Sequence, residues 1–361
     1  MESLVYSAPW TVRVVETEEP RLSKPDDVLV EVKAVGICGT DLGIIAGQYP
    51  AVRPPVVLGH EAVGVVHAVG SGIEDLIPGE RVAIDPTYAC LHCHMCTTGR
   101  PNHCLRKDGT ESGVSADGMF RKLHLTQRRF VHRIAPHVPF ENAALTEPLS
   151  CVLTGVAQLL LRTDYHAAVI GAGPMGLLYA HALAVQGVRG TLIEISPQRR
   201  ALAEQAAPAG WMVARDLDAA LRQGSRKPYG AGGGRGNGES LRDLGFDIIV
   251  DTSGFALESS LAFLARGGQL LSVGLGGTPV TVDPVVFADH SKRIVGSIDS
   301  LNGSFAAALD LITTGRVPAD RLVSHVLPLS AHREALALLG VDLAERRRVA
   351  PADALKVVLV P

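Results

Sequence analysis

A short apolar stretch at residues 167–170 (AAVI) runs directly into Gly171-x-Gly173-x-x-Gly176 and then into Leu177, Leu178 and Ala180. Few patterns restrict a fold more tightly. Strand, glycine turn and helix in that order predict a βαβ unit whose glycines let the backbone approach a pyrophosphate at a helix N-terminus. Pro174 and Met175 fill the variable positions of the same turn and count with the three glycines as cofactor contacts. Glu194 lies near the end of the next apolar segment, placed to accept a hydrogen bond from a ribose 2′-hydroxyl and to repel a 2′-phosphate, so NAD is expected over NADP. Arg199 and Arg200, just beyond, are the counter-signal, because a guanidinium turned inward there holds a phosphate. Otherwise the two arginines read as solvated helix surface.

The texture around this turn extends the argument. Helix is expected over 150–161, strand over 167–170, helix over 171–186, strand over 191–195 and helix over 196–206, with further apolar strands at 246–250 and 269–273. Such alternation is the mark of a parallel, doubly wound sheet. Before residue 150 the pattern is different: 28–35 (VLVEVKAV) alternates apolar and polar positions, 61–69 is a β-branched run, and Pro and Gly punctuate short segments. That favours a compact β body. A length of 361 residues suits two domains rather than one core. The Gly-rich stretch 224–240 holds too little apolar area to offset its ordering entropy and reads as a surface loop. From about 292 the chain resumes helix and short-strand texture, with 304–312 helical.

Two groups of metal-binding side chains precede the nucleotide turn. Cys90, Cys93, Cys96 and Cys104 have the spacing of a closed tetrahedral zinc site, in which four thiolates complete the shell and leave His92, His94 and His103 outside it. Such an ion supplies local folding energy to a polar lobe at 90–104 and performs no chemistry. The second group is mixed. Cys38 lies between Gly36 and Gly39, His60 and Glu61 follow Gly59, and Glu147 precedes Pro148. Cysteine, histidine and carboxylate together suit a catalytic zinc with a position left for water or substrate. Neighbouring residues on a strand point to opposite faces, so His60 and Glu61 both ligate only if the backbone bends; otherwise one of them stands behind the other.

Composition excludes several classes. A formal charge of −3 gives no general attraction to nucleic acid or anionic membrane, and no apolar run is long enough to span a bilayer. No secretory leader pattern opens the chain. Metal readings absorb all of the six cysteines except Cys151, which points to a reducing, cytoplasmic setting.

With these residues in place, the chain resembles the medium-chain, zinc-containing alcohol dehydrogenase superfamily, most closely its sorbitol, threonine and other polyol dehydrogenases. The resemblance rests on GICGTD (36–41), GHEAVGVV (59–66), the four-cysteine lobe, EPLS (147–150), GAGPMG (171–176), DTSG (251–254) and GS (296–297). It implies an α/β plus β architecture: a GroES-like catalytic domain over 1–152, a Rossmann-fold nucleotide-binding domain over 153–291, and a return to the catalytic domain over 292–361. It implies two zinc ions per chain, NAD, a small alcohol or ketone substrate, and a homodimer or homotetramer. Cys38 and His60 carry over as zinc ligands and Glu61 and Glu147 as carboxylates that ligate or exchange at the ion. Thr40 carries over as the hydroxyl that bonds the substrate oxygen, and Asp41 as the residue that orients the Cys38 turn or His60. The histidine that threonine dehydrogenases place two residues after GTD is Gly43 here. The expected substrate is therefore a secondary alcohol of a polyol, sugar or cyclitol, with L-threonine or another amino alcohol as the alternative, and a catalytically silent zinc- and NAD-binding protein as the minor one.

Overall fold

A computed structural model describes all residues except 50, 224–243, 277–278, 302 and 350–353. The expected loop at 224–240 lies outside the described residues. The chain forms two compact units, Met1–Ser150 with Asp299–Pro361, and Cys151–Ile298. The expected return at 292 falls earlier than this, because strand Arg293–Gly296 pairs in parallel with Leu264–Ser272 and so belongs to the second unit.

The first unit is built on a seven-stranded sheet. Its order is Val323–Pro328, Lys356–Val360, Asp27–Gly36, Glu61–Val69, Arg81–Ile84 and Val131–Arg133, with Leu123–Gln127 added to Asp27–Gly36. Antiparallel pairing dominates, and only the first two strands run in parallel. Strands Glu2–Ala8, Thr11–Glu16 and Val56–Val57 form a second, three-stranded sheet. Val28, Val30, Val32, Val66, Val82, Ile84, Phe120 and Leu359 fill one core between these layers. The unit is not purely β: helices Gly39–Ile45, Ser304–Thr313 and His332–Leu338 belong to it.

The second unit holds six strands in the order Met212–Ala214, Arg189–Ile193, His166–Ile170, Phe246–Asp251, Leu264–Ser272, Arg293–Gly296, all parallel. Numbered along the chain, that order is the doubly wound 3-2-1-4-5-6 arrangement, whose switch point lies beside the first strand. Ala168, Ile193, Phe246, Ile249 and Leu270 are buried in its core, as strands covered on both faces require.

Helix Thr146–Val156 starts earlier and ends earlier than the expected 150–161. Pro148 is tolerated in a first turn, where its missing N–H has no partner to lose. At the other end the bonds tighten to Gln158 N–H on Gly155 and Leu159 N–H on Val156. The Gln269 amide then takes both the N–H and the carbonyl of Leu160, at 2.9 and 2.8 Å, which diverts the backbone from the helix. Among the described residues no helix is long and apolar enough to cross a membrane.

Candidate active site and metal centres

The first unit carries the mixed ligand group. Strand Asp27–Gly36 ends beside Ile37, and Cys38 caps helix Gly39–Ile45 in extended backbone. The Asp41 carboxylate closes this turn by accepting the Cys38 N–H at 2.8 Å and the Gly59 N–H at 3.3 Å. Gly59 has φ +91°, and a Cβ there would stand 2.7 Å from the Phe120 ring. Only glycine makes that bend comfortably. It places His60 and Glu61 at the start of strand Glu61–Val69 so that both reach the same point as Cys38. One ligand atom from each of Cys38, His60 and Glu61 lies within 4.8 Å of the others.

The electrostatics favour a cation at this point. His60 is buried, which lowers its basicity, but the Cys38 thiolate and the Asp41 carboxylate outweigh burial and hold its pKa well above the ordinary value. Asp41 is held above the usual carboxylate range by burial, against the pull of His60 and the Cys38 N–H. Nδ1 of His60 stands 3.8 Å from Asp41 and makes no hydrogen bond, a buried nitrogen without a partner. A sulfur, a nitrogen and an oxygen donor at this separation fit zinc.

Glu147 is outside the three-residue group. It sits in the first turn of helix Thr146–Val156, and its charge helps to raise the pKa of His60 and of Lys356. Thr40, half-buried, follows on the first turn after Cys38. Sequence reasoning missed Lys356. Its side chain is 4% exposed, and its ammonium donates to both oxygens of Glu61, at 2.7 and 2.6 Å, and to the Ile37 carbonyl at 3.1 Å. Burial lowers its pKa, and the Glu61 carboxylate and Cys38 thiolate overcome this and raise it. The available signal was a lone lysine in the apolar run ALKVVLV.

The four-cysteine lobe converges as well. Sulfurs of Cys90 and Cys96 are 3.9 Å apart, those of Cys93 and Cys96 3.5 Å, and those of Cys93 and Cys104 4.0 Å. Thiolates at about 2.3 Å from one tetrahedral ion stand about 3.8 Å from each other. No disulfide joins them. Backbone N–H groups of Cys90, Cys93 and Arg106 point at sulfurs of the set, at 3.3–3.4 Å, as thiolate acceptors require. His92 is engaged with the Cys90 carbonyl at 2.6 Å, and the ligand group does not include it, His94 or His103.

In the second unit the fingerprint turn forms between strand His166–Ile170 and helix Pro174–Val185. The helix starts later than residue 171 because Gly171 has φ +91° and Gly173 is the extended N-cap. A Cβ at Gly176 would overlap the Gly171 carbonyl, which fixes that position as glycine. Pro174 opens the helix, and Met175 beside it is half-buried. Glu194 lies one residue past strand Arg189–Ile193, and its carboxylate accepts the Ala172 N–H at 3.2 Å and the Ser196 N–H at 3.0 Å. Of the two expectations for the arginines, solvated surface or a guanidinium turned inward, the structure has the second. Arg199 stands 3.1 Å from Glu194, and Arg200 donates to the carbonyls of Glu194 and Ile195, at 2.8 Å each. The Glu194 carboxylate draws Arg199 inward, with the side chain 16% exposed.

Comparison with known proteins agrees with this geometry. Residues 24–136 match the family described as alcohol dehydrogenase GroES-like domain, and 174–314 match zinc-binding dehydrogenase. The chain is 32% identical to D-altritol 5-dehydrogenase of Agrobacterium fabrum, over 85% of this chain and 86% of that protein. It is 28% identical to D-arabinitol dehydrogenase 1 of Uromyces fabae, over 93% of each. Among solved structures, alcohol dehydrogenase TADH from Thermus sp. ATN1 superposes with TM-score 0.83 at 29% identity, covering 100% of this chain and 99% of that one.

Proposed function

The chain belongs to the medium-chain, zinc-dependent alcohol and polyol dehydrogenase superfamily, and on that premise we propose that it interconverts a secondary alcohol of a polyol, sugar or cyclitol with the matching ketone, using NAD. The observation that carries this reading is the convergence of Cys38, His60 and Glu61 in a chain that also builds the Gly171–Gly176 nucleotide turn. Relatives that act on arabinitol and altritol support the polyol class. Gly43 supports it over threonine, because the histidine of threonine dehydrogenases is absent from that position.

When bound, a zinc ion supplies Lewis acidity to an alcohol oxygen and the dinucleotide accepts hydride. The chain's residues do the rest. Cys38 and His60 hold the ion, with Glu61 within reach of the same point and Glu147 adding negative charge nearby. Asp41 fixes the Cys38 turn through the Cys38 N–H and places a carboxylate 3.8 Å from Nδ1 of His60. Thr40 would take the hydroxyl proton of the substrate and release its own, since Gly43 offers no relay. Gly171, Gly173, Pro174, Met175 and Gly176 receive the pyrophosphate, and Glu194 receives the adenosine ribose. Cys90, Cys93, Cys96 and Cys104 hold a second zinc that is structural. We assign the chain to a cytoplasmic homodimer or homotetramer.

The test is a rate screen of pentitols, hexitols, cyclitols, amino sugars and threonine, each with NAD and with NADP. A polyol or cyclitol should give the highest kcat/KM with NAD. Turnover of threonine alone, or of no alcohol despite a full metal complement, overturns the reading.

A further inference from the structure

We propose that Lys356 is a positioning residue that competes with the metal ion for the Glu61 carboxylate, keeping Glu61 a displaceable ligand and one place in the shell open to substrate. The proposal rests on the reading of Cys38, His60 and Glu61 as the catalytic metal centre.

Backbone register delivers the lysine. Strand Lys356–Val360 pairs antiparallel with Asp27–Gly36, Val358 opposite Gly36, and the Ile37 N–H continues the ladder onto the Val357 carbonyl at 2.9 Å. Lys356 thereby lies beside the turn that presents Cys38. Its ammonium has three hydrogens, and the structure offers three acceptors: the two Glu61 oxygens and the Ile37 carbonyl. No donor is left over, so the position is defined on every side. Glu61 is equally constrained, fully buried and packed against Gly36, where a Cβ would overlap its carboxylate.

Charge explains what the pair does. Cys38 as thiolate and Glu61 as carboxylate together balance a divalent ion, and Glu147 adds further negative charge nearby. Without Lys356, a buried Glu61 loses the cation that bonds both of its oxygens and relies more on the ion for compensation, which slows exchange. With Lys356, Glu61 is compensated whether or not it touches the ion. A ligand with an alternative partner leaves more readily, and a catalytic site needs an exchangeable position.

A purely structural lysine predicts the opposite sign, because losing a group that orients a ligand commonly weakens metal binding 10–100-fold. The experiment uses the holoenzyme with cobalt at the catalytic site and follows its visible absorption, which reports the number and type of donors. Chelator-driven metal release and steady-state kinetics are read on the same samples. Lys356→Met should release metal about tenfold more slowly, change the cobalt spectrum, and lower kcat while raising KM for the alcohol. Lys356→Gln, which keeps a hydrogen bond to Glu61 without the charge, should fall between the two and remains informative if the Met variant does not fold. Adding Glu61→Gln to Lys356→Met should restore fast release. Metal release from Lys356→Met or Lys356→Gln as fast as or faster than from wild type, or an unchanged cobalt spectrum, overturns the role of Lys356. A wild type whose metal content is unaltered by Cys38→Ser instead removes the metal centre itself, and the proposal with it.

Discussion

Gly36 tests how tightly this metal-side carboxylate is enclosed. An alanine methyl at that position would overlap Oε2 of Glu61 and stand 3.2 Å from its Cδ and 3.3 Å from its Cβ. Glu61 has little room to back away from a methyl on the Gly36 side, being fully buried and held through both oxygens by Lys356. Overpacking a dense core costs about 1–3 kcal/mol, and losing a charge-assisted hydrogen bond adds about 1.5–3 kcal/mol. Gly36→Ala should therefore destabilise the first unit by roughly 3–5 kcal/mol, or about 10 °C in Tm for a unit of this size. Differential scanning calorimetry with metal analysis on the same sample measures both consequences, and the catalytic metal should be lost in parallel. The second unit should keep its transition and its nucleotide affinity. A Gly36→Ala protein with Tm within 2 °C of wild type and full metal content, a bound set against the ~10 °C expected, would show that Glu61 is not confined on the Gly36 side and that the enclosure argument is wrong.

Cys93→Ser should reduce zinc from two ions to one per chain and lower stability while leaving substrate preference unchanged, which metal analysis and thermal unfolding check. Thr40→Val should keep its metal and lose roughly 10²–10⁴ in kcat; a near-normal kcat with an unchanged pH profile would assign proton transfer to another group. Glu194→Ala should narrow the preference for NAD over NADP in initial-rate kinetics, and a wild-type enzyme with the higher kcat/KM for NADP would move the assignment to Arg199. Burial raises the Asp85 carboxyl to about 6, against hydrogen bonds from Thr87 and Ser300. Because that folded-state value lies above the unfolded 3.8, its contribution is complete below the unfolded value and is lost as pH rises through 6. Denaturant titrations should show about 1 kcal/mol of stability gained from this group between pH 7 and pH 5, and Asp85→Asn should abolish that gain.

Local geometry accounts for what was legible in the sequence. The strand, glycine turn and helix around Gly171, and the parallel alternation that follows, depend on steric rules acting over a few residues, and the parallel sheet formed in that order. The structure also brings Cys90, Cys93, Cys96 and Cys104 together within a short span. Lys356 was not legible, because it meets Glu61 from 295 residues away through a strand pairing that no local pattern announces. The end of helix Thr146–Val156 is not legible for a related reason: it is decided by the Gln269 side chain, 109 positions from Leu160. For Arg199 the sequence leaves solvated surface and an inward-turned cofactor contact both open, because composition says nothing about the Glu194 carboxylate that draws it inward.

The position of Arg199 changes what it means for a dinucleotide to bind. A Cβ at Gly173 would lie 2.6 Å from Nη2 of Arg199, so the guanidinium covers the glycine turn while it is tethered to Glu194. A coenzyme arriving at that turn meets an internal ion pair before it meets bare backbone. On the proposed assignment, docking would exchange one anion for another at the guanidinium, a phosphate replacing Glu194, while the freed carboxylate turns to a ribose hydroxyl. Added salt weakens the tether and the incoming attraction alike, so the coenzyme dissociation constant should vary little with ionic strength, whereas removing the tether alone should leave a steep dependence.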